Sequence, residues 1–278
     1  MPAERIAESL AFINWTVLTT IAVGSFGAVA LGRLRTEATR GYLAFTGIVA
    51  VLLGLLAIAS DAALPAATAG SPVAIDPSWD EVRRAAMALF CGLAAGYVVA
   101  IARGRRAPLL AAAAIAAGAA VLGLAAIAWG GGALGTVLLA VELAVLTAAL
   151  GGVWAAMVLG HWYLVTPKLA EAPLVAFARA LALIVAAQLV LFVAWIGLGA
   201  GPAGVPGFGA LVGTWAVFVW LRLLVGLLFP LVVSWAAIQT ARTRSMESAT
   251  GLLYIEVGTI AAGTILAAGL YFGAGLLV

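Results

Sequence analysis

Apolar residues in this chain run in long blocks, and the polar residues crowd into short segments between them. The blocks fall at about 11–32, 41–60, 79–102, 108–129, 134–165, 173–198, 209–238 and 250–277. Each reaches the roughly 20 apolar residues that carry an α-helix across the hydrocarbon of a bilayer. The pattern predicts an all-α, polytopic helix bundle with eight transmembrane helices, forming one membrane-embedded domain over residues 1–278.

The punctuation between blocks has physical causes. Ser78-Trp79-Asp80-Glu81 has the spacing of a capping box at the head of the third block. Pro108 and Pro173 fall where a first-turn proline is tolerated, because that position has no helical partner for an N–H. Gly130-Gly131-Gly132 and Gly199-Ala200-Gly201-Pro202 predict stops for the fourth and sixth helices. The fifth block is long enough to tilt, kink or protrude, with Gly151-Gly152 as a flexible point. Gly92/Gly96 and Gly269/Gly273 match the GxxxG pattern that permits close helix approach. Glu37–Gly41 echoes Glu247–Gly251, and Ala107-Pro108-Leu109 echoes Ala172-Pro173-Leu174. Helix-start chemistry accounts for these echoes without an internal repeat.

Composition agrees with the pattern. Mean hydropathy is +1.21, and only 9% of residues are charged. Soluble domains carry about 25%. The isoelectric point near 9.4 is no nucleic-acid signal, because the basic residues sit in short loops. The loops after the first, third, fifth and seventh helices carry Arg33, Arg35, Arg40, Arg103, Arg105, Arg106, Lys168, Arg242 and Arg244, against Glu37, Glu171 and Glu247. The other side carries Arg5, Arg83 and Arg84 against Glu4, Glu8, Asp61, Asp76, Asp80 and Glu81. The nine-to-three division of Lys and Arg predicts that the first set is cytoplasmic, with both termini outside, in a bacterial inner membrane. The first residues lack a basic n-region, so no cleavable signal peptide is expected. Cys91 lies within an apolar run and reads as a small buried hydrophobe.

Four charges remain inside the spans: Glu142, Arg179, Arg222 and Glu256. Ionisable groups at such depth are costly, so they face the bundle interior and find partners. The expected pairs are Arg222 with Glu142 and Arg179 with Glu256. Pro230 cannot bond the carbonyl of Gly226, which predicts a kink near Arg222 and a free carbonyl beside it. These charges read either as register-fixing pairs or as a proton path or head-group lock.

"GHWYLVTPK", residues 160–168, holds the chain's one histidine. His161, Trp162 and Tyr163 read as an interfacial helix exit, with Pro167 ending the helix and Lys168 reaching head groups. The alternative is a quinone or lipid head-group site, with the imidazole bonding a head group and Trp162, Tyr163 or Trp154 packing its ring. One histidine excludes a bis-His haem. No P-loop, HExxH or GxSxG motif occurs, no metal site is expected, and no cofactor is expected beyond a possible quinone or lipid ligand.

"FCGLAAGYVVA", residues 90–100, resembles a glycine-rich helix of NrfD-type quinol-handling subunits. The likeness covers one helix of eight and assigns no family. Three readings of function follow. The first is a cofactor-free subunit or accessory protein of a quinone-linked respiratory membrane complex, with the bilayer and other membrane subunits as partners. The second is a secondary transporter or channel using Arg222, Glu142 and Glu256. The third is a lipid-modifying enzyme with His161 as acid or base and Arg179 or Lys168 holding phosphate.

Overall fold

A computed structural model describes residues 1–65, 71–166 and 169–278. The described residues are mostly helical, with no strand among them. A short helix, α1 (Pro2–Glu8), leads into α2 (Leu10–Arg35), α3 (Arg40–Asp61), α4 (Asp80–Ala102), α5 (Pro108–Trp129), α6 (Ala133–Val165) and α7 (Ala172–Leu198). The seventh span is made of α8 (Ala216–Leu223), a π-helical turn (Leu224–Leu228) and α9 (Phe229–Arg242), and α10 (Met246–Ala274) is the eighth. Among the described residues eight helices are long and apolar enough to cross a membrane. The chain is a multi-pass membrane protein.

Neighbours in sequence are mostly neighbours in space. The α2–α3, α3–α4 and α4–α5 pairs pack along their lengths, as do α6–α7, α7–α9 and α9–α10. The two groups join through α2, α6 and α10. The arginine-rich loops meet in pairs, Arg33 at the end of α2 with Gly104 after α4 and Arg244 after α9 with Glu171 before α7, and are called the arginine-rich face. The alternate loops, which carry Asp61, Asp76 and Asp80, are called the acidic face.

The proline and glycine signals act as expected. Pro108 and Pro173 sit in the first turns of α5 and α7. Gly130 follows the end of α5, and Gly199 closes α7 in the left-handed conformation at φ +67°. The capping box at residues 78–81 does not form. Instead the Asp76 carboxylate accepts the Ser78 N–H at 3.0 Å and caps the single turn Pro77–Trp79, from which α4 starts at Asp80.

Three other expectations are corrected. The seventh span begins at Ala216 rather than 209, because Gly207 and Gly213 take positive φ and break the helical run around Phe208–Leu211. Gly151-Gly152 is no flexible point, since α6 is continuous. Gly151 is a crossing: a Cβ there would stand 2.2 Å from the Gly24 backbone, and one on Gly24 would meet the Thr147 carbonyl at 1.9 Å. Gly92, half of the first GxxxG pair, has nothing within 4 Å of the place a Cβ would take, so it marks no helix contact. Cys91 is buried, its Sγ against Gly54.

The chain after α10 turns at Gly275 (φ +69°) and tucks under the 199–204 turn. Leu277 N–H donates to the Ala200 carbonyl and Ala203 N–H to the Gly275 carbonyl. Residues 275–278 are buried there.

Candidate functional site

Arg222 and Glu142 meet, as their depths suggested. The guanidinium is 2% exposed, the carboxylate residue 5% exposed, and Nη2 stands 4.0 Å from Oε1. That is a loose pair, and the backbone completes the cation's shell. Nε donates to the Val278 backbone oxygen at 3.4 Å and Nη1 to the Gly226 carbonyl at 3.5 Å. The Gly226 carbonyl is the one that Pro230, lacking an N–H, cannot bond. The seventh span takes a π turn at Leu224–Leu228, directly before Pro230, so the helical ladder is interrupted where the expected kink was placed. Room for the side chain comes from two facing glycines. A Cβ on Gly263 would stand 2.9 Å from Arg222 Nη1 and 2.7 Å from the Gly226 Cα.

Glu256 is fully buried and does not pair with Arg179. Ser234 on α9 donates its hydroxyl to Glu256 Oε1, while Oε2 has no hydrogen-bond partner. Arg179 is exposed. The expected pairing fails because equal depth does not put two helix faces together. The buried stripe of α7 runs through Ala178, Leu181, Val185 and Gln188, and residue 179 lies well off it.

The GHWYLVTPK stretch divides in two. His161 is exposed, its Nδ1 3.5 Å from the Tyr254 hydroxyl. Trp162 lies against Gly41, where a Cβ would sit 2.7 Å from its ring. Tyr163 is buried, and its hydroxyl donates to the Ala170 carbonyl. Pro167 and Lys168 lie outside the described residues, so their expected roles have no structural counterpart here. The structure therefore gathers Arg222 with Glu142, sets Glu256 apart with Ser234, and leaves Arg179 and His161 at the periphery.

Two buried charges, Arg83 and Asp61, were counted from sequence among the charges of the external side rather than among those inside the spans. Arg83, in the first turn of α4, is 0% exposed. Its Nε donates to Asp61 Oδ2 at 2.7 Å, and its Nη2 stands 2.9 Å from Asp80 Oδ1. The guanidinium also lies over the Trp129 and Trp15 rings, at 4.8 and 5.4 Å from their centroids. Asp61 accepts a second bond from Arg84 Nε at 2.7 Å. The spacing Asp80, Arg83, Arg84 was the available signal, since i, i+3 and i+4 share a helix face. Nearby Asp76, in the loop, has its carboxyl held below the usual range by the Ser78 hydroxyl and N–H.

Hollows of about 300 to 440 Å³ lie elsewhere among the described residues. On the acidic face, one of about 440 Å³ is floored by Phe12 and Phe272 and another of about 340 Å³ lies beside Gly131 and Leu277. On the arginine-rich face, one of about 330 Å³ lies between Tyr163, Arg244 and Glu247. The fourth, about 300 Å³, is a groove within the spans. It is walled by Gly24, Gly27 and Leu31 of α2, Ile115 and Leu122 of α5, Gly152 of α6, and Phe177 and Ile184 of α7. Its lining holds no charged residue and one polar side chain, Thr147. None of these hollows is lined by Arg222, Glu142, Glu256, Arg179 or His161. Among the described residues no group of His, Cys, Asp or Glu is placed to hold a metal. Comparison of the chain with protein-family models, with curated proteins and with solved structures gives no match.

Proposed function

We propose that this chain is an accessory subunit of a membrane complex that holds one long-chain amphiphile, a lipid or a quinone, in the groove between α2, α5, α6 and α7. The bacterial cytoplasmic membrane, with the arginine-rich face inside, is the proposed setting. The observation that carries the reading is the groove itself: about 300 Å³, within the spans, almost wholly apolar. Ligand pockets start at roughly this size and are lined mainly by hydrophobic side chains. The buried charges suit the same reading, since Arg222 is taken up by backbone oxygens, Glu142 and a glycine slot.

Gly27 and Gly152 supply the test. Both line the groove, and a Cβ on either would meet nothing within 4 Å. Gly152→Leu therefore fills the groove without disturbing a helix contact. Wild-type protein purified through mild detergent should carry a long-chain amphiphile detectable by mass spectrometry, and Gly152→Leu should carry several-fold less. Equal retention by the two proteins contradicts the reading.

Glu256 favours a second reading, a proton-coupled transporter. It is fully buried, Oε2 has no hydrogen-bond partner, and among the described residues no Lys or Arg stands within ion-pair distance. A carboxyl free of a fixed cation is the better proton carrier, because a paired one is held in its charged form. Gradient-driven uptake into vesicles, abolished by Glu256→Gln, would support this reading. Uptake unchanged by Glu256→Gln removes Glu256 as the coupling group.

A further inference from the structure

The groove's lower end points to the chemistry of its occupant. Gly27, Leu31 and Arg35 lie at i, i+4 and i+8 on α2, so the face that lines the groove continues down to Arg35. Leu31 is 60% exposed and Arg35 is exposed. On α5, Ile115 and Leu122 line the groove, and Pro108, seven residues before Ile115, shares their face and opens the helix. Arg105 and Arg106, both exposed, stand directly before that turn.

The two arginine-bearing loops are fastened to one another. Arg33, on the other side of α2, donates through Nη2 to the Gly104 carbonyl at 2.9 Å and the Arg105 carbonyl at 3.4 Å. Gly104 takes φ +77°, and Arg40 Nη1 stands 3.0 Å from where a Cβ on it would lie. Arg33 is thus consumed in holding the loop against the end of α2. Arg35, Arg105 and Arg106 have no hydrogen-bond or ion-pair partner for their side chains among the described residues.

We propose that the groove takes an acyl chain of an anionic phospholipid from the leaflet on the arginine-rich side, with its phosphate held by Arg35, Arg105 and Arg106. This inference rests on the reading of the groove above and names its occupant. Hydrocarbon at depth meets the apolar lining, and the phosphate meets three free cations where the groove reaches the interface. Arginine suits a phosphate because its planar fork can give two parallel hydrogen bonds. Basic clefts between membrane helices on the cytoplasmic side are suited to anionic head groups for the same reason. A neutral quinone could accept hydrogen bonds from these arginines but lacks the charge that makes a phosphate their stronger partner.

The test uses the full chain in lipid nanodiscs of phosphatidylcholine and phosphatidylglycerol in equal amounts, with a trace of ubiquinone. Lipid retained through delipidation is read by mass spectrometry. Wild type is expected to retain phosphatidylglycerol over phosphatidylcholine by about 100-fold, from three basic groups near the surface. The preference should shrink with salt. In Arg35→Gln/Arg105→Gln/Arg106→Gln, which alters only exposed side chains, it should fall towards unity, and Gly27→Leu should retain little of either lipid. A preference that is absent in wild type, or unchanged in the triple variant, overturns the proposal. So does retained ubiquinone in place of phospholipid. In these cases loss of the bound molecule in Gly27→Leu leaves the groove's role standing. If Gly27→Leu retains as much as wild type, the groove is not the site and both readings fall.

Discussion

Arg83 and Arg222 are both buried in this bundle, and they find their partners in opposite ways. Arg83 sits at the acidic end of α4 with two carboxylates at 2.7 and 2.9 Å and two tryptophan faces over it. Arg222 sits deeper, with one carboxylate at 4.0 Å, two backbone oxygens and a slot between two glycines. Near the interface, acidic side chains can be gathered from helix ends and loops, so the cation is neutralised by tight pairs. Within the span few such groups are affordable, and the helix itself is opened to supply carbonyls. The difference teaches that a buried membrane arginine is solved by whatever polar atoms its depth allows, and that at depth the solution is written into the backbone.

The contrast can be broken most sharply at Asp61, which binds both Arg83 and Arg84. Asp61→Asn leaves a buried guanidinium short of its main counter-charge and should cost about 3–5 kcal/mol of stability. Thermal unfolding in lipid micelles would measure it, and a loss under about 1 kcal/mol would mean that the tryptophan faces and Asp80 suffice. Next comes the cycle formed by Arg222→Met, Glu142→Gln and the double variant. The long separation and the backbone partners predict a coupling of about 0.5–1 kcal/mol, at the low end for contacting residues. A larger coupling would make Arg222 a second Arg83. Smallest is Arg179→Gln. Exposed and without an ion pair among the described residues, it should change stability by no more than about 0.5 kcal/mol.

Much of the fold was legible because hydrocarbon imposes a length on each helix and proline and glycine mark the ends. The seventh span was misread at its start because the stretch 207–215 is largely apolar yet broken at Gly207, Phe208 and Gly213, which take positive φ in the packed turn. The Arg222–Glu142 pair was legible from depth, and Pro230 foretold the free carbonyl. Arg179 and Glu256 also share a depth, but sequence does not fix which faces meet. Arg83 was hidden by its neighbours, since two acidic and two basic residues in the first turns of a helix read as an interfacial, solvated cluster until Trp15 and Trp129 are brought over it from distant helices. The groove was least visible of all. It exists where Gly27 and Gly152 lack side chains, and an absence of side chain becomes a hollow only once α2, α5, α6 and α7 are in place.

The most direct measurement is an experimental density map of the chain in nanodiscs containing anionic phospholipid. The account predicts an elongated density lying along Gly27, Gly152 and Ile184, ending in a head group beside Arg35. Side chains closed over that space, or a head group seated at the acidic face instead, would contradict it.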